Sequence, residues 1–226
     1  MDHIAQCAGI PLRSSDGWNK YHASGTHKRH RALIRDYLGI RFFDREARQI
    51  MVNAMAEVAL VKDEPADLVN VAMEKLIQQN VELPAFNTLA EAARHIYAQS
   101  YRELYHNISQ SLDTDAIKAV DDLFQTTAQS PYTPWHRIKQ DAGNPTLTHL
   151  KDLVSHDRWL STKTTGLQAL QGVPMRKTKQ MAAEAKTLDA ARMLEMEPNK
   201  RYALAIALLF VQSTTVKRDS PEFRGI

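Results

Sequence analysis

Apolar residues recur at helical spacing along almost the whole chain, whereas the strict alternation of a β-strand is almost absent. Helix start and stop signals fall where this periodicity changes. Asp44 and Asp113 suit N-caps, Pro65 suits a first helical turn, and Gly39 suits a helix end. The pattern predicts helices over 27–38, about 45–58, about 65–77, from 88 past 106, 114–124, 145–163, 175–185, 188–194 and 201–212.

Two of these helices carry features that bear on function. In the 27–38 helix, Leu33, Ile34 and Tyr37 share one side, and the opposite side is basic. Thr88 and Glu91 have the spacing of a capping box, so a long helix is expected to begin at Thr88. On this helix one face is shared by Leu89, Ala93, Ile96, Ser100 and Leu104, while Gln99 and Arg102 point away from it and Arg94 lies on the flank. The segment 68–77, the turn that follows and this long helix together resemble a loosely spaced helix-turn-helix.

Glycine is scarce, with 8 residues in a chain of 226, where average usage would give about 16. Folds rich in sheet need many tight turns, so this scarcity favours helices. The predicted fold class is all-α, with two consecutive helical bundles and helix-turn-helix-like elements. Ser130–Pro134 holds two prolines in five residues and is the predicted boundary. It separates modules 18–129 and 130–213, with 1–17 and 214–226 as tails.

The overall composition is that of an ordinary folded protein, with 43% hydrophobic and 24% charged residues. Cys7 is the one cysteine, which excludes an internal disulfide and a thiolate metal cage. The longest apolar run, 202–211, is shorter than the roughly 20 residues that span a bilayer and predicts a buried helix. No leader is visible near the N-terminus, so a cytoplasmic location without a membrane partner is expected.

Charge is unevenly distributed, although the net charge is only +3. The segment 13–48 holds 9 basic and 4 acidic residues, and 134–180 holds 8 and 3. Between them, 64–126 holds 4 basic and 10 acidic residues. The two basic blocks are either anion-binding surfaces or solvated helix faces.

Enzymatic motifs are absent: there is no Gly-rich phosphate loop, nucleophile elbow or zincin helix. His27 and His30 are spaced to share a helix face but lack an identifiable third ligand, so no metal or other cofactor is expected. Trp135 lies among basic residues and suits either stacking on a base or filling a helix end. Its large apolar area favours the second interpretation.

Five segments, in order, carry a more specific signal. They are His27–Arg41, Asp67–Asn70, Glu82–Leu89, Ser130–Lys139 and Arg201–Leu204. Together they resemble the N-terminal region of Tn-three family transposases over about residues 18–212. Residues 1–16 and 213–226 depart from the family pattern, so a truncated or decayed reading frame, or a fragment, is expected.

The resemblance implies helical DNA-binding modules that bind the terminal inverted repeats of a transposon. It also implies that the chemistry belongs to a distant C-terminal domain of ribonuclease H type, to which nothing here corresponds. The chain by itself is therefore expected to have no catalytic residues, no cofactor and no small-molecule substrate. Double-stranded DNA is the expected partner, with another transposase subunit as a further possibility.

Within the resemblance, three groups of residues are assigned to DNA. Phosphate contacts are predicted for Lys28, Arg29, Arg31, Arg35 and Arg41. Base contacts are predicted for Arg94, Gln99 and Arg102. The predicted surface of the second module consists of Arg137, Lys139, Lys151, Arg176, Lys177 and Lys179.

Three alternatives remain open at this point. The chain is a helical interaction or regulatory domain, in which case an exposed apolar face is expected. It is an enzyme with an unrecognised active site, which needs acid and base groups converging in a pocket. Or it is a nonfunctional transposase remnant, which sequence alone does not distinguish from a working fragment.

Overall fold

The computed structural model describes residues 19–20, 23–126, 132–139, 147–163 and 165–219, with the backbone alone for 147–153 and 216–219. Regular structure in these residues is helical, with no β-strand, which confirms the predicted all-α class. The α-helices are α1 Gly25–Leu38, α2 Arg45–Val58, α3 Pro65–Gln78, α4 Phe86–Gln110, α5 Thr114–Asp121, α6 Pro134–Ile138, α7 Leu147–Ser161, α8 Met175–Thr187, α9 Ala190–Glu195 and α10 Pro198–Asp219. Two 3₁₀ turns lie at Asp122–Phe124 and Leu167–Leu170.

The predicted caps act at the helix ends. The carboxylate of Asp44 accepts from the Ala47 backbone N–H at 2.9 Å, and that of Asp113 accepts from Ala116 at 2.7 Å. Pro65 occupies the first turn of α3. Gly39 ends α1 in the left-handed region at φ 64°, where a side chain would be strained.

Two predicted helix ends are wrong. Helix α4 begins at Phe86, because the Ala85 carbonyl already accepts from Thr88 and Leu89, so Thr88 lies inside the first turn instead of at the cap. Helix α10 continues to Asp219 instead of ending at Gln212. The Ser213 and Thr214 hydroxyls donate back to the Phe210 carbonyl, which is compatible with continued helix.

The chain divides into two compact units. Unit 1 contains the described residues of Met1–Glu57 together with Glu64–Ala93, and unit 2 contains Val58–Asp63 with the described residues of Arg94–Ile226. This division differs from the predicted boundary at Ser130–Pro134. The rings of Phe124 and Trp135, from either side of that stretch, pack at 5.1 Å in one core.

The buried positions of unit 1 follow the helical period. Helix α2 buries Ala47, Met51, Ala54 and Met55, and α3 buries Leu68, Val69, Ala72 and Leu76. Both sets repeat at three and four residues, so each helix turns one apolar stripe inward.

Helix α10 is the centre of unit 2, where α5, α6, α7 and α8 pack against it. Its residues 203–209 are at most 3% exposed, which confirms the buried helix predicted from the apolar run. Trp135 is fully buried, and its indole N–H donates to the Leu188 carbonyl at 2.8 Å. The interpretation of Trp135 as a filler of a helix end is confirmed. No helix within the described ranges is long and apolar enough to cross a membrane.

Lys177 is a structural residue of unit 2, which corrects its assignment to a DNA-binding surface. Its side chain is fully buried, and Nζ donates to the Lys62 carbonyl at 2.6 Å. The ammonium lies 5.3 Å and 5.1 Å from the ring centroids of Tyr97 and Tyr101. A buried ammonium needs such acceptors and ring faces to offset its lost hydration, so it is unavailable to a phosphate.

The same cluster fixes the short connector 58–63 against α4 and α8 within unit 2. The Tyr97 hydroxyl donates to the Asp63 carbonyl, and Gln180 Nε2 donates to the Asp63 carboxylate at 3.1 Å. The Tyr101 hydroxyl donates to Gln180 Oε1 at 2.9 Å. Burial raises the pKa of Tyr101, so its hydroxyl keeps the proton that this hydrogen bond uses.

Lys177→Met is expected to lower the free energy of unfolding of unit 2 by about 1–3 kcal/mol, because it removes a charged hydrogen bond and two cation–π interactions. Urea unfolding followed by circular dichroism measures the change. The control is Lys179→Met, two residues along the same helix and exposed, which is expected to change stability by less than about 0.5 kcal/mol. Equal effects of the two substitutions would contradict the structural role.

A second stability test concerns Gly166, whose φ is 88°. A Cβ there would lie 2.9 Å from Leu112 Cδ2 and 3.0 Å from Ala116 Cβ. Gly172 has a similar φ of 84° and open space around it. Gly172→Ala is expected to cost about 1–2 kcal/mol for the backbone alone, and Gly166→Ala about 1–3 kcal/mol more for crowding. Equal shifts of the urea midpoint would show that the crowding relaxes without cost.

Candidate nucleic-acid interface

Helix α1 presents the first predicted group of cations. Ser24 caps it by accepting from the His27 backbone N–H at 3.2 Å, and Gly39 ends it. None of its residues is buried. The side chains of Lys28 and Arg29 are exposed and make no ion pair with any described residue. Their charges are therefore available to an anion from solution.

Arg31 and Arg35 are engaged differently, because both bind the carboxylate of Glu82. Arg31 Nε and Nη2 bind Oε1, and Arg35 Nη1 donates to Oε2 at 3.0 Å. Arg35 also lies over the Phe42 ring, 5.1 Å from its centroid. Sequence reasoning missed Glu82 as a partner, since nothing local relates it to residues 47 and 51 positions earlier in the chain.

The backbone near Glu82 is held by an isolated parallel bridge between Arg41 and Val81. Arg41 N donates to the Asn80 carbonyl at 2.7 Å, and Glu82 N donates to the Arg41 carbonyl at 2.9 Å. The Arg41 guanidinium pairs with Glu46 at 3.0 Å and is partly exposed. Arg41 thus acts through its backbone in unit 1, and its side chain is not free.

The apolar side of α1 is exposed. Leu33, Ile34 and Tyr37 are 61%, 58% and 90% exposed, and Leu38 and Phe42 are similarly open. Periodicity identifies an apolar face but not what covers it, and no described element lies over this one. Such a face is the feature expected of an interaction domain.

Two further exposed cations of unit 1, Arg45 and Arg48, lie at the start of α2 and pair with no described residue. Sequence reasoning did not single them out. Their position in the basic block 13–48 was the available signal. Like Lys28 and Arg29, they keep their charge available on the described surface of unit 1.

The predicted base-contacting residues lie on the exposed side of α4. Arg94, Gln99 and Arg102 are exposed, while Leu89, Ala93, Ile96 and Leu104 on the opposite side are buried, as the periodicity predicted. Gln99 donates to Glu103 at 2.8 Å. Arg94 and Arg102 form no ion pair with a described residue, so Glu91 and Glu103 leave both guanidinium groups available.

The predicted surface of the second module is largely engaged in packing. Arg137 lies over the Trp159 ring at 4.4 Å, and Lys139 donates to the Leu188 carbonyl at 2.9 Å. Both side chains are half-buried. His156 stacks on Trp159, and burial followed by the charge of Arg137 lowers its pKa. The charged form of His156 is therefore disfavoured.

The remaining residues of that group have separate environments. Arg176 pairs with Asp63 and stays 70% exposed, and Lys179 is exposed. Lys177 is buried, as described above. Lys151 lies on α7, and its side chain falls outside the described residues. The five residues of this group whose side chains the structure describes therefore do not form one exposed basic surface.

Metal-ligating side chains do not converge in the part of the chain that the structure describes. No set of three or more His, Cys, Asp or Glu residues there is arranged to hold a metal ion. His27 and His30 lie on α1, where each has interactions of its own.

Comparison with known proteins relates the chain to transposases. Residues 1–96 match a domain of unknown function, DUF4158. The transposase for transposon Tn21 of Escherichia coli is 24% identical over 212 residues, covering 92% of this chain and 21% of the relative. The transposase for transposon Tn3926 of Escherichia coli is 23% identical over 216 residues, covering 94% and 21%. The chain thus spans about a fifth of the length of these curated relatives.

The similarity covers most of the chain and includes residues 1–16, which lie within the matched domain although they were expected to depart from the family pattern. It confirms the resemblance to Tn-three family transposases that the five ordered segments carry.

Proposed function

We propose that the chain binds duplex DNA and takes part in recognising the terminal inverted repeats of a transposon. The observation that carries the proposal is the set of unpaired cations on α1 and α2, on the unit that includes most of the matched domain. Lysine and arginine without carboxylate partners bind phosphates and release the counterions condensed on DNA. The transposase relatives support DNA as the source of those phosphates.

The proposal assigns phosphate binding and base recognition to two different groups of side chains. Lys28 and Arg29 of unit 1 bind phosphates, which sets affinity and salt dependence but carries no sequence information. Arg94 and Arg102 of unit 2 form no ion pair with a described residue, and their guanidinium groups suit the two acceptors on a guanine edge. Gln99 beside them suits an adenine edge once it leaves Glu103.

The proposal assigns binding and not strand cleavage to this chain. The relatives are transposases of about five times the matched length, so their catalytic chemistry is not carried over to these residues. Within the described ranges no cluster of carboxylates suits two-metal chemistry. DNA held by this chain is cut, in this proposal, by residues that the chain does not supply.

A second candidate function is association with another transposase subunit through the apolar side of α1. The observation that favours it is the exposure of Leu33, Ile34 and Tyr37 on a helix with no buried residue. The DNA titrations below separate the two candidates. If no substitution of a cation changes DNA binding, the apolar face is the remaining functional feature of α1.

Replacing Lys28 and Arg29 by Ala is expected to weaken binding of repeat and scrambled duplexes by the same factor. The slope of log affinity against log salt should fall by about 0.9 for each phosphate that is no longer bound. Fluorescence anisotropy at a series of salt concentrations measures both. Lys118→Ala, which removes an exposed cation of α5, is the control and should leave the slope unchanged. An unchanged slope in the double variant would contradict the phosphate role.

Replacing Arg94 and Arg102 by Ala is expected to act mainly on the cognate repeat, by about 1–3 kcal/mol for each base that is no longer recognised. Binding to a scrambled duplex should change much less, so the ratio of the two affinities is the measured quantity. The control is Arg192→Ala, which removes an exposed arginine paired with Glu195 at 2.9 Å. Equal losses of affinity on both duplexes would overturn base recognition and leave the phosphate role of Lys28 and Arg29 intact.

A further inference from the structure

One carboxylate in unit 1 binds two arginines from successive turns of one helix. Both oxygens of Glu82 are used, Oε1 by Arg31 and Oε2 by Arg35. The Glu82 side chain is 15% exposed, Arg35 is 21% exposed and Arg31 is 55% exposed. The Glu82 carboxylate is therefore largely buried between the two arginines, while part of the Arg31 side chain remains exposed to solvent.

The position of Glu82 is set by its backbone. Its N–H donates to the Arg41 carbonyl at 2.9 Å, and the preceding Val81 forms the bridge with Arg41. Val81 itself is 4% exposed. Because two neighbouring backbone interactions hold Glu82, its carboxylate extends from a fixed point of the backbone toward the two arginines.

The charges at this position do not cancel. Two guanidinium groups surround one carboxylate, which leaves an excess of one positive charge. Two arginines that converge on one anion can also bind a phosphate. Their planar guanidinium groups match the oxygens of a phosphate as well as those of a carboxylate. A DNA phosphate and the Glu82 carboxylate can therefore use the same donors.

We infer that Arg31 and Arg35 form a phosphate-binding subsite that Glu82 occupies in the DNA-free chain, so that a DNA phosphate must displace this carboxylate. The inference rests on the proposed function, since it takes duplex DNA as the phosphate source. It makes Glu82 a residue that lowers DNA affinity while keeping the two arginines in position. No carboxylate among the described residues pairs with Lys28 or Arg29 on the same helix.

The test compares Glu82→Gln with Glu46→Gln. Both substitutions remove one negative charge from unit 1, but Glu46 pairs with Arg41 and is 70% exposed, so its loss leaves Arg31 and Arg35 bound. Binding of a random-sequence duplex at low salt is measured by fluorescence anisotropy. Glu82→Gln is expected to tighten binding about 3- to 10-fold relative to the wild type, and Glu46→Gln less than about 2-fold.

A double-mutant cycle assigns the gain in affinity to the two arginines. Arg31→Ala with Arg35→Ala is expected to cost little in the wild type, where both groups are engaged, and to remove the whole gain in the Glu82→Gln background. Weaker binding by Glu82→Gln, or a change equal to that of Glu46→Gln, would overturn the inference. A gain that survives removal of both arginines would overturn it as well.

Circular dichroism and thermal unfolding establish that each variant is folded. If Glu82→Gln loses helix content, Glu82→Asp is compared with Glu46→Asp instead. The shorter side chain of Asp weakens the ion pairs with Arg31 and Arg35, so DNA affinity should rise in the same direction by a smaller factor. Failure of the proposed function looks different: neither the wild type nor any variant then binds DNA. Binding that depends on Lys28 and Arg29 but not on Glu82 would sink the inference alone.

Discussion

The basic helix α1 is joined to the rest of unit 1 by a shared carboxylate and by the backbone bridge that follows the helix. Most helices in globular proteins are held by burial of an apolar stripe, but α1 buries no residue. Its side chains are held by the binding of Arg31 and Arg35 to Glu82 and by the packing of Arg35 over Phe42. Partly exposed ion pairs of this kind contribute little each and weaken with salt. The side-chain contacts of the helix are therefore of the same type that DNA would offer it.

The lysine and arginine side chains lie in two kinds of environment, which the sequence alone does not distinguish. Some make contacts inside the fold. Lys177 donates to the Lys62 carbonyl, Lys139 donates to the Leu188 carbonyl, and Arg137 lies over the Trp159 ring. Others, such as Lys28 and Arg94, face solvent without a carboxylate partner among the described residues. Only the second kind keeps its charge available for a polyanion, so a count of basic residues overstates the second basic block as a binding surface.

Local signals in the sequence predicted the helices, the caps at Asp44 and Asp113, and the buried side of α4, because these depend on residues three or four positions apart. The errors about the site depend on distant residues. Nothing near Lys177 indicates the carbonyl of Lys62, and nothing near Arg31 indicates Glu82. The exposure of the apolar side of α1 also depends on distant residues, because periodicity identifies an apolar face but not what packs against it.

Hydrogen–deuterium exchange of the wild-type chain, with and without duplex DNA carrying a terminal inverted repeat, tests the central claim that α1 meets the nucleic acid. With no buried side chain, amides of Gly25–Leu38 should exchange quickly in the free chain and slow markedly when DNA is bound. Amides of the buried stretch 203–209 should exchange slowly in both states. DNA binding that leaves α1 unprotected while slowing exchange elsewhere would contradict the account.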